Sequence, residues 1–380
     1  MKWASALSRD PDPKGAVEAG LEVLRVDLEG HAPDLVLLFV SPHLLKGAEP
    51  IVRAVREAFP KARLCGCSGG GVIGAGVEAE GVPAVSLVAA HLPGVTVQTF
   101  HVRNDAVPEV PPEAAALLVF ADPFSLDPAK LVEALDARAP KLVKVGGLAS
   151  GGVAPGAHRL FLDDQVFSAG AVGVTLAGAL EVETLVSQGC RMIGSPMFAT
   201  QVDGHLLLEV DGKSPLEVVR ELHDAASPDD QKLMHRALLL GVEMKGEGIE
   251  RNAGELLMRN LVGVDPRRRA LAVGTVLDQY QVVQFAVRDA DAAEKDLKKH
   301  LAEHRQRGMP PPAGALLFSC TGRGQYLYGQ PDHDSKLFLD AYGPTPLGGF
   351  FCNGEVGPVG GRTHLHGYTS AFALFRPARH

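Results

Sequence analysis

Three pairs of glycines share one five-residue spacing and one place in a repeated pattern of strands and helices. Each pair follows a strand-like apolar run and a helical stretch, and a second apolar run rich in small residues comes after it. The pairs are Gly66 with Gly71, Gly146 with Gly151, and Gly349 with Gly354. This pattern predicts three copies of one unit, made of a strand, a helix, a glycine-rich return and a strand.

The apolar runs are short enough to be buried strands. They lie before the returns at Leu35–Val40, Leu117–Phe120 and Leu316–Phe318, and after them at Ala84–Val88, Ala169–Leu176 and Thr369–Phe375. The helix of the second copy has its own start signal, because Asp127 can cap it and Pro128 suits its first turn. The glycines either let the backbone approach a ligand closely or form tight turns that packing alone requires.

A different segment, at about residues 180–310, separates the second copy from the third. Two capping sequences predict helices in it, Ser214-Pro215-Leu216-Glu217 and Ser227-Pro228-Asp229-Asp230, and Asp289–Arg307 predicts a charged, exposed helix. Strands are predicted at Leu206–Val210, Leu271–Val276 and Val282–Val287. We therefore expect a mixed α/β (α+β) fold, in which repeated strand-helix-glycine-loop-strand units form sheets covered by helices, with an α+β insert.

The composition is that of a globular protein. The 380 residues, 46% of them hydrophobic, suffice for one large domain or two. A net charge of −8 gives no electrostatic reason to expect a nucleic-acid partner. The start of the chain does not resemble a signal peptide, and no apolar stretch reaches the roughly 18 residues of a membrane helix. Five scattered cysteines suit reduced thiols, so we expect a cytoplasmic protein without membrane insertion.

The third copy carries reactive groups that the other copies lack. Its first strand ends in Ser319-Cys320-Thr321-Gly322-Arg323, and its return holds Cys352-Asn353-Gly354-Glu355. The second copy has Ala121-Asp122-Pro123 and Ala149-Ser150-Gly151-Gly152 at the matching places. Arg323 and Glu355 could clamp the carboxylate and ammonium of an amino-acid-like ligand, or could pair with each other.

Several blocks of the sequence resemble one known family. Cys65-Gly66-Cys67-Ser68-Gly69-Gly70-Gly71-Val72-Ile73 resembles the glycine-rich signature of the FIST N-terminal domain. Ser319–Arg323, Cys352–Pro358 and His366–Thr369 resemble signature blocks of the FIST C-terminal domain. Further blocks at 209–215 and 258–264 also look like that family, so the resemblance covers nearly the whole chain. It implies a FIST N-terminal domain at 1–200 and a FIST C-terminal domain at 201–380.

The resemblance implies an intracellular sensory protein for small ligands, amino acids among them, and some bacterial members are described as haem-binding nitric oxide sensors. The family's recurrent polar positions fall on Arg259, Cys320, Arg323, Asn353 and Glu355. We expect Cys352 to join this ligand-binding set, and we expect the first copy's loop to form the far wall of the pocket through Cys67, Ser68, Gly69 and Gly70.

One departure from the family stands in that first loop. The usual Gly-Glu-Ile is Gly71-Val72-Ile73 here, so a carboxylate is lost. No kinase, cyclase or helix-turn-helix segment follows Phe375. The resemblance therefore implies a small amino-acid or peptide-like ligand and a separate signalling partner protein.

Other functions compete with ligand binding. Cys320 or Cys352 could act as a nucleophile with His364 or His366 as its base, although no sequence signature fixes that geometry. The two histidines would lie on one side of a strand and could bind a metal or haem, whereas Cys65-Gly66-Cys67 lacks the spacing of a zinc knuckle. A scaffold role is a further alternative. We expect a binding module rather than an enzyme, with no metal and no required cofactor.

Overall fold

A computed structural model describes residues 1–104, 106–244 and 256–378 of the chain. The strands are β1 (Lys2–Ser8), β2 (Leu35–Val40), β3 (Arg63–Ser68), β4 (Gly71–Gly74), β5 (Val77–Glu80), β6 (Val85–His91), β7 (Val95–Val102), β8 (Ala114–Ala121), β9 (Val143–Leu148), β10 (Leu160–Leu162), β11 (Gln165–Phe167), β12 (Ala171–Gly178), β13 (Leu180–Gln188), β14 (Cys190–Met192), β15 (Met197–Asp203), β16 (Leu206–Val210), β17 (Leu238–Glu243), β18 (Leu256–Asp265), β19 (Ala270–Val273), β20 (Val282–Arg288), β21 (Gly314–Cys320), β22 (Leu347–Cys352), β23 (Glu355–Val359), β24 (Arg362–His366) and β25 (Thr369–Pro377). The helices are α1 (Pro13–Asp27), α2 (Ala48–Ala58), α3 (Pro128–Arg138), α4 (Pro215–Ala225), α5 (Pro228–Arg236), α6 (Ala290–Gln306), α7 (Gly324–Tyr328) and α8 (His333–Tyr342), with a 3₁₀ helix at Pro42–Gly47.

The chain forms two compact units. The first consists of the described parts of Met1–Ser187, Leu297–Leu365 and Thr369–His380. The second consists of the described parts of Gln188–Asp296 together with His366–Tyr368. The predicted mixed α+β fold class is confirmed, because both units combine sheets with helices.

Three six-stranded sheets of the first unit have the same strand order. In each sheet a parallel strand pair lies at the centre, an antiparallel strand and an edge strand flank it on one side, and a hairpin flanks it on the other. The parallel registers align Gly66, Gly146 and Gly349 with one another. The three predicted copies are therefore confirmed. The orders are β1-β6-β2-β3-β10-β11, β7-β12-β8-β9-β23-β24 and β13-β25-β21-β22-β4-β5.

A hairpin from another copy completes each sheet. After its glycine return, every copy continues into a hairpin that the predicted unit lacks, and this hairpin leaves its own sheet. The first copy's β4 pairs with β22 of the third, the second copy's β10 pairs with β3 of the first, and the third copy's β23 pairs with β9 of the second. Because this exchange is cyclic, the three copies close into a ring.

The inner faces of the three sheets enclose one shared hydrophobic core. The equivalent residues Phe39, Phe120 and Phe318 meet there with Phe350, at ring-centroid distances of 5.0 to 5.9 Å. Helices cover the outer faces and bury a separate apolar cluster over each sheet. The covering helices are α1 and α2 for the first sheet, α3 for the second, and α6 and α8 for the third.

The first glycine of each pair is needed for close approach of two strands. Gly66, Gly146 and Gly349 have φ of +155°, +150° and +150°. A Cβ at any of them would lie 1.9 Å from a carbonyl oxygen of the paired strand, that of Leu38, Val119 or Leu317 respectively. Packing alone accounts for these three glycines.

The second unit is a closed sheet with its own helices. Its strands follow the order β14-β20-β15-β16-β19-β18-β17, and β17 also pairs with β20. Ser214 Oγ accepts a hydrogen bond from the Glu217 N–H at 3.3 Å, and Ser227 Oγ accepts one from the Asp230 N–H at 3.1 Å. These caps open α4 and α5 as the sequence predicts, and the expected α+β insert is confirmed.

We expect Gly146→Ala to destabilise the protein by about 3 kcal/mol or more, because an alanine Cβ would collide with the Val119 carbonyl oxygen and φ is unfavourable. Gly156→Ala is the matched control. Its φ is also positive, at +77°, but no atom lies within 4 Å of the added Cβ, so we expect a loss of about 1 kcal/mol. Denaturant unfolding compares the two variants, and equal losses would show that the close approach is not required.

Candidate functional site

Three loops meet at one end of the ring, where the central parallel strands of all three copies finish. The strand pairs end at Val40 and Ser68, at Ala121 and Leu148, and at Cys320 and Cys352. In open α/β sheets, ligands bind outside the carboxyl ends of parallel strands. We call the segments at the ends of β3, β9 and β22 the convergent loops. They comprise Ser68–Gly71, Ala149–Gly152 and Cys352–Gly354.

One hydroxyl group links the convergent loops of all three copies. The Gly70 N–H donates to Ser150 Oγ at 2.7 Å, and Ser150 Oγ donates to the carbonyl of Phe351. The Ser150 N–H also donates to the Ser68 carbonyl at 3.2 Å. A serine of the second copy thus holds the first and third copies together, although the sequence singled out neither this residue nor its role.

Asn353 is the exposed residue of the third convergent loop. Its backbone N–H donates to the Leu148 carbonyl at 3.1 Å, and its Nδ2 donates to the Ala149 carbonyl at 3.2 Å. The second copy therefore fixes the position of this side chain, while solvent still reaches it.

Cys320 and Cys352 lie side by side on the inner face of their sheet. They are register partners in the parallel pair β21–β22, and Phe318 and Phe350, two residues before them, belong to the central core. Cys352 is buried and Cys320 is half-buried. Burial raises the pKa of the Cys352 thiol well above its usual value, and the charge of Glu355 raises it further.

The Glu355 carboxylate is buried and bonded to the last strand of its own copy. Its Oε2 accepts hydrogen bonds from the Thr369 Oγ1 at 2.8 Å and from the Thr369 N–H at 3.2 Å. Glu355 also pairs with Gly147 in the antiparallel contact between β23 and β9. The carboxylate therefore helps to fix the position at which the exchanged hairpin begins.

Arg323 is fully buried and is paired with a residue that the sequence analysis did not name. Its Nε donates to Asp334 Oδ2 at 2.8 Å, and its Nη2 donates to Asp334 Oδ1 at 3.2 Å and to the Tyr328 hydroxyl at 2.6 Å. Although burial opposes the charge of the guanidinium, Asp334 and its neighbours raise the pKa of Arg323 above its usual value. Arg323 is therefore a charged residue within a formed ion pair.

The alternative of a direct Arg323–Glu355 ion pair is wrong. Successive residues of β25 point to opposite faces of the sheet, and Thr369 contacts Glu355 whereas Ser370 Oγ donates to Asp334 Oδ2 at 2.5 Å. Arg323 therefore lies on the side of the sheet that faces α8, and Glu355 lies on the other side.

The exchanged hairpin of the first copy adds a second buried carboxylate near this ion pair. Glu78 Oε1 accepts from the Ser335 Oγ at 2.8 Å and from the Ser335 N–H at 3.0 Å. Burial raises the pKa of Glu78 to about 7, and the charge of Asp334 contributes to the rise. No sequence motif marks Glu78 or Asp334, because the hairpin exchange alone brings them together.

The predicted residues of the first copy form the base of its convergent loop. Cys67 is buried in the central core, and burial raises the pKa of its thiol well above the usual value. Ser68 is bonded through its Oγ to the Arg159 N–H at 3.1 Å, and the Gly69 N–H donates to the Val40 carbonyl at 3.1 Å. Of the four residues predicted for this wall, Cys67, Ser68 and Gly69 are buried, and Gly70 is half-buried.

The second copy contributes a buried Asp–His pair that the sequence analysis missed. His158 Nδ1 and Asp122 Oδ1 are 2.8 Å apart, and the Gly152 N–H donates to His158 Nε2 at 3.3 Å. Both side chains are fully buried. The alignment of Asp122 with Cys320 was the available signal, since both residues lie at the end of the equivalent strand of their copies.

Arg259 lies on β18, in the second unit, where its Nη1 donates to the Met258 carbonyl at 3.2 Å. Burial lowers the pKa of Arg259 below its usual value. The Tyr368 hydroxyl, also in the second unit, donates to Asn260 Oδ1. Arg259 thus belongs to a different unit from the other predicted residues.

Across the described ranges, no group of three or more His, Cys, Asp and Glu side chains could hold a metal ion. His364 and His366, which were expected for the metal or haem alternative, lie in the first and second unit respectively. Among the helices that the structure describes, none has both the length and the apolar composition to cross a bilayer.

A surface cavity of 680 Å³ lies along α2, and another of 460 Å³ lies at the C-terminal ends of α1 and α2. The larger is lined by charged side chains that include Arg53, Arg56 and Asp164, and Arg56 is already bonded to Asp164 at 2.9 Å. None of the predicted site residues lines either cavity. The convergent loops therefore remain the candidate site on the grounds of their position and polar groups.

The ring of three copies and its convergent loops define an α+β protein built by internal repetition. The chain belongs to the FIST family: the FIST N domain matches residues 34–213 and the FIST C domain matches residues 215–358. FIST domains are associated with sensing and signalling. The resemblance that the sequence blocks indicated is confirmed.

Two relatives each cover 99% of the chain. An uncharacterized protein of Mycobacterium tuberculosis is 36% identical over 99% of this chain and 100% of its own length. Another, of Mycobacterium bovis, is 35% identical over 99% of both chains. An F-box/LRR-repeat protein of Arabidopsis thaliana is 35% identical over 21% of this chain and 15% of its own.

We expect Glu78→Gln to stabilise the protein more at pH 8 than at pH 5. The unfolded acid ionises near 4.5 and the folded one near 7, so wild-type stability falls as pH rises between these values, by about 3 kcal/mol in total. A neutral amide removes this dependence and can still accept from Ser335.

Urea unfolding at several pH values measures the effect, with the exposed Glu22→Gln as the control. A Glu78→Gln advantage that does not change between pH 5 and pH 8 would contradict the buried, proton-holding carboxyl group.

Proposed function

We propose that this chain is a cytoplasmic ligand-binding sensory protein whose site is the end of the ring at which the convergent loops meet. The supporting observation is that Ser150 links the loops of all three copies while the third copy alone adds an exposed amide, Asn353, and a half-buried thiol, Cys320. Such a site responds to a ligand by changing contacts between copies. A separate partner protein would read this change.

The polar groups at the loops favour a neutral or zwitterionic ligand of amino-acid or peptide-like character. Asn353 supplies an exposed amide, which is a partner that peptide and amide groups require. Arg323 and Glu355 are buried and bonded within the protein. We therefore assign these two residues to positioning the loops rather than to clamping the ligand charges.

A cysteine-dependent enzyme is a poorer match to the same geometry. Burial raises the pKa of Cys352 well above its usual value, which disfavours the thiolate that nucleophilic attack requires. The Cys352 thiol donates to the Phe350 carbonyl at 3.5 Å. Ligand binding needs no such activated group.

A thermal-shift screen tests the proposal with the twenty amino acids, a set of dipeptides and common nucleotides as probes. We expect at least one amino acid or dipeptide to raise Tm in a concentration-dependent way, since a ligand that binds only the folded state stabilises it by mass action. We expect Asn353→Ala to lower the affinity for that probe about tenfold, the cost of one or two lost hydrogen bonds.

The control for this experiment is Gln165→Ala, which removes another exposed amide, at the hairpin β10–β11. It should bind the probe as the wild type does. No Tm shift with any amino acid or dipeptide, or equal loss of binding in both variants, would contradict the site.

A further inference from the structure

We propose that Cys320 and Cys352 are a redox-active dithiol, which closes to a disulfide when a hydroperoxide oxidises Cys320. The pair lies at the end of the parallel strands β21 and β22. This proposal does not require a ligand to bind at the convergent loops, and its test has a separate readout.

The backbone already holds the two cysteines at bonding range. They are register partners in β21–β22, and neighbouring strands lie about 4.8 Å apart. Disulfides join Cα atoms that are roughly 4.4–6.8 Å apart. Both side chains lie on the inner face of the sheet, because Phe318 and Phe350, two residues earlier on each strand, face the central core. A bond between the two sulfurs therefore requires no change of strand register.

The two thiols differ in a way that assigns their roles. Cys320 is half-buried and can be reached by a small oxidant, whereas Cys352 is fully buried. Cys320 is thus the residue that reacts with the oxidant, and Cys352 is the residue that resolves the product.

The equivalent positions show that the repeat itself does not need these thiols. Ser41 and Asp122 occupy the place of Cys320, and Gly69 and Ala149 occupy the place of Cys352. The equivalent strand ends of the other two copies form without any cysteine. The third copy nevertheless has a cysteine at both positions. A packing role alone does not call for such a pair.

The chemistry balances with a hydroperoxide as the oxidant. The Cys320 thiolate attacks the peroxide oxygen, the O–O bond breaks, and the product alcohol or water takes up a proton while Cys320 becomes a sulfenic acid. The Cys352 thiol then attacks the Cys320 sulfur without first forming a free thiolate, because the departing hydroxyl group takes up its proton. The S–S bond forms, the S–O bond breaks, and the hydroxyl group leaves as water with the proton of the Cys352 thiol. Two thiols and one hydroperoxide give one disulfide, one alcohol or water molecule and one water molecule.

Hydrogen peroxide treatment of the purified full chain tests this assignment. After treatment the remaining thiols are blocked with N-ethylmaleimide, counted, and located by peptide mass mapping. We expect two of the five thiols to be lost, a disulfide between the Cys320 and Cys352 peptides, and recovery of both thiols with dithiothreitol. Cys352→Ser should stop at a Cys320 sulfenic acid that dimedone traps.

The matched control is Cys190→Ser, which removes the other half-buried thiol and should leave the disulfide unaffected. Cys320→Ser, at a half-buried position, provides a second variant if Cys352→Ser does not fold, and it should form no intramolecular disulfide. Retention of five thiols after peroxide, oxidation of Cys320 to a sulfinic acid with Cys352 still free, or a disulfide that joins other cysteines would overturn the proposal. If the disulfide forms but no amino acid or dipeptide binds, that result contradicts only the proposed function.

Discussion

The pairing of each copy's hairpin with the sheet of another copy is the contact on which the first unit depends. Without it, the outer edges of β3, β9 and β22 would present unpaired backbone groups. A carboxyl group forms hydrogen bonds at each of the three junctions. Asp163 accepts from the Leu64 N–H at 3.1 Å, Asp136 accepts from the Thr363 N–H at 3.3 Å, and Glu78 accepts from Ser335. No copy completes its sheet alone, so the ring forms as a whole.

The ring explains how a repeated scaffold can carry a candidate site that is not symmetric. Its three equivalent strand ends lie together, and each copy supplies a different residue there: Ser41, Asp122 or Cys320. Ser41 caps its own copy by accepting the Ala84 N–H at 2.8 Å, and Asp122 is committed to His158. Cys320 remains half-buried, so exposed chemistry is concentrated in the third copy although the backbone is shared by all three.

The sequence predicted the parts of this fold that local patterns determine. Apolar runs located β2 and β25 at their first residues, and the capping serines placed α4 and α5. The hairpins were not predicted, because their strands have only three to five residues and pair with strands that are distant in the sequence. Asp334, the partner of Arg323, was not predicted for a related reason. Glu355 is a carboxylate that only the third copy carries at its position, so it was considered as the partner of Arg323. Thr369 and Ser370 are consecutive residues of β25 and contact Glu355 and Asp334 respectively, which places these two carboxyl groups on opposite faces of the sheet.

Polarity at a repeat-specific position is therefore a poor guide to ligand contact until burial is known. Arg323 and Asp334 are both removed from water, and breaking such a pair leaves an uncompensated buried charge, which costs about 3–5 kcal/mol. A ligand that recruited Arg323 would have to offset that cost before it gained any affinity. Asn353 involves no such cost, because its amide is exposed and shares one bond with a backbone carbonyl. The proposed function therefore assigns Arg323 to positioning and the exposed amide of Asn353 to the ligand.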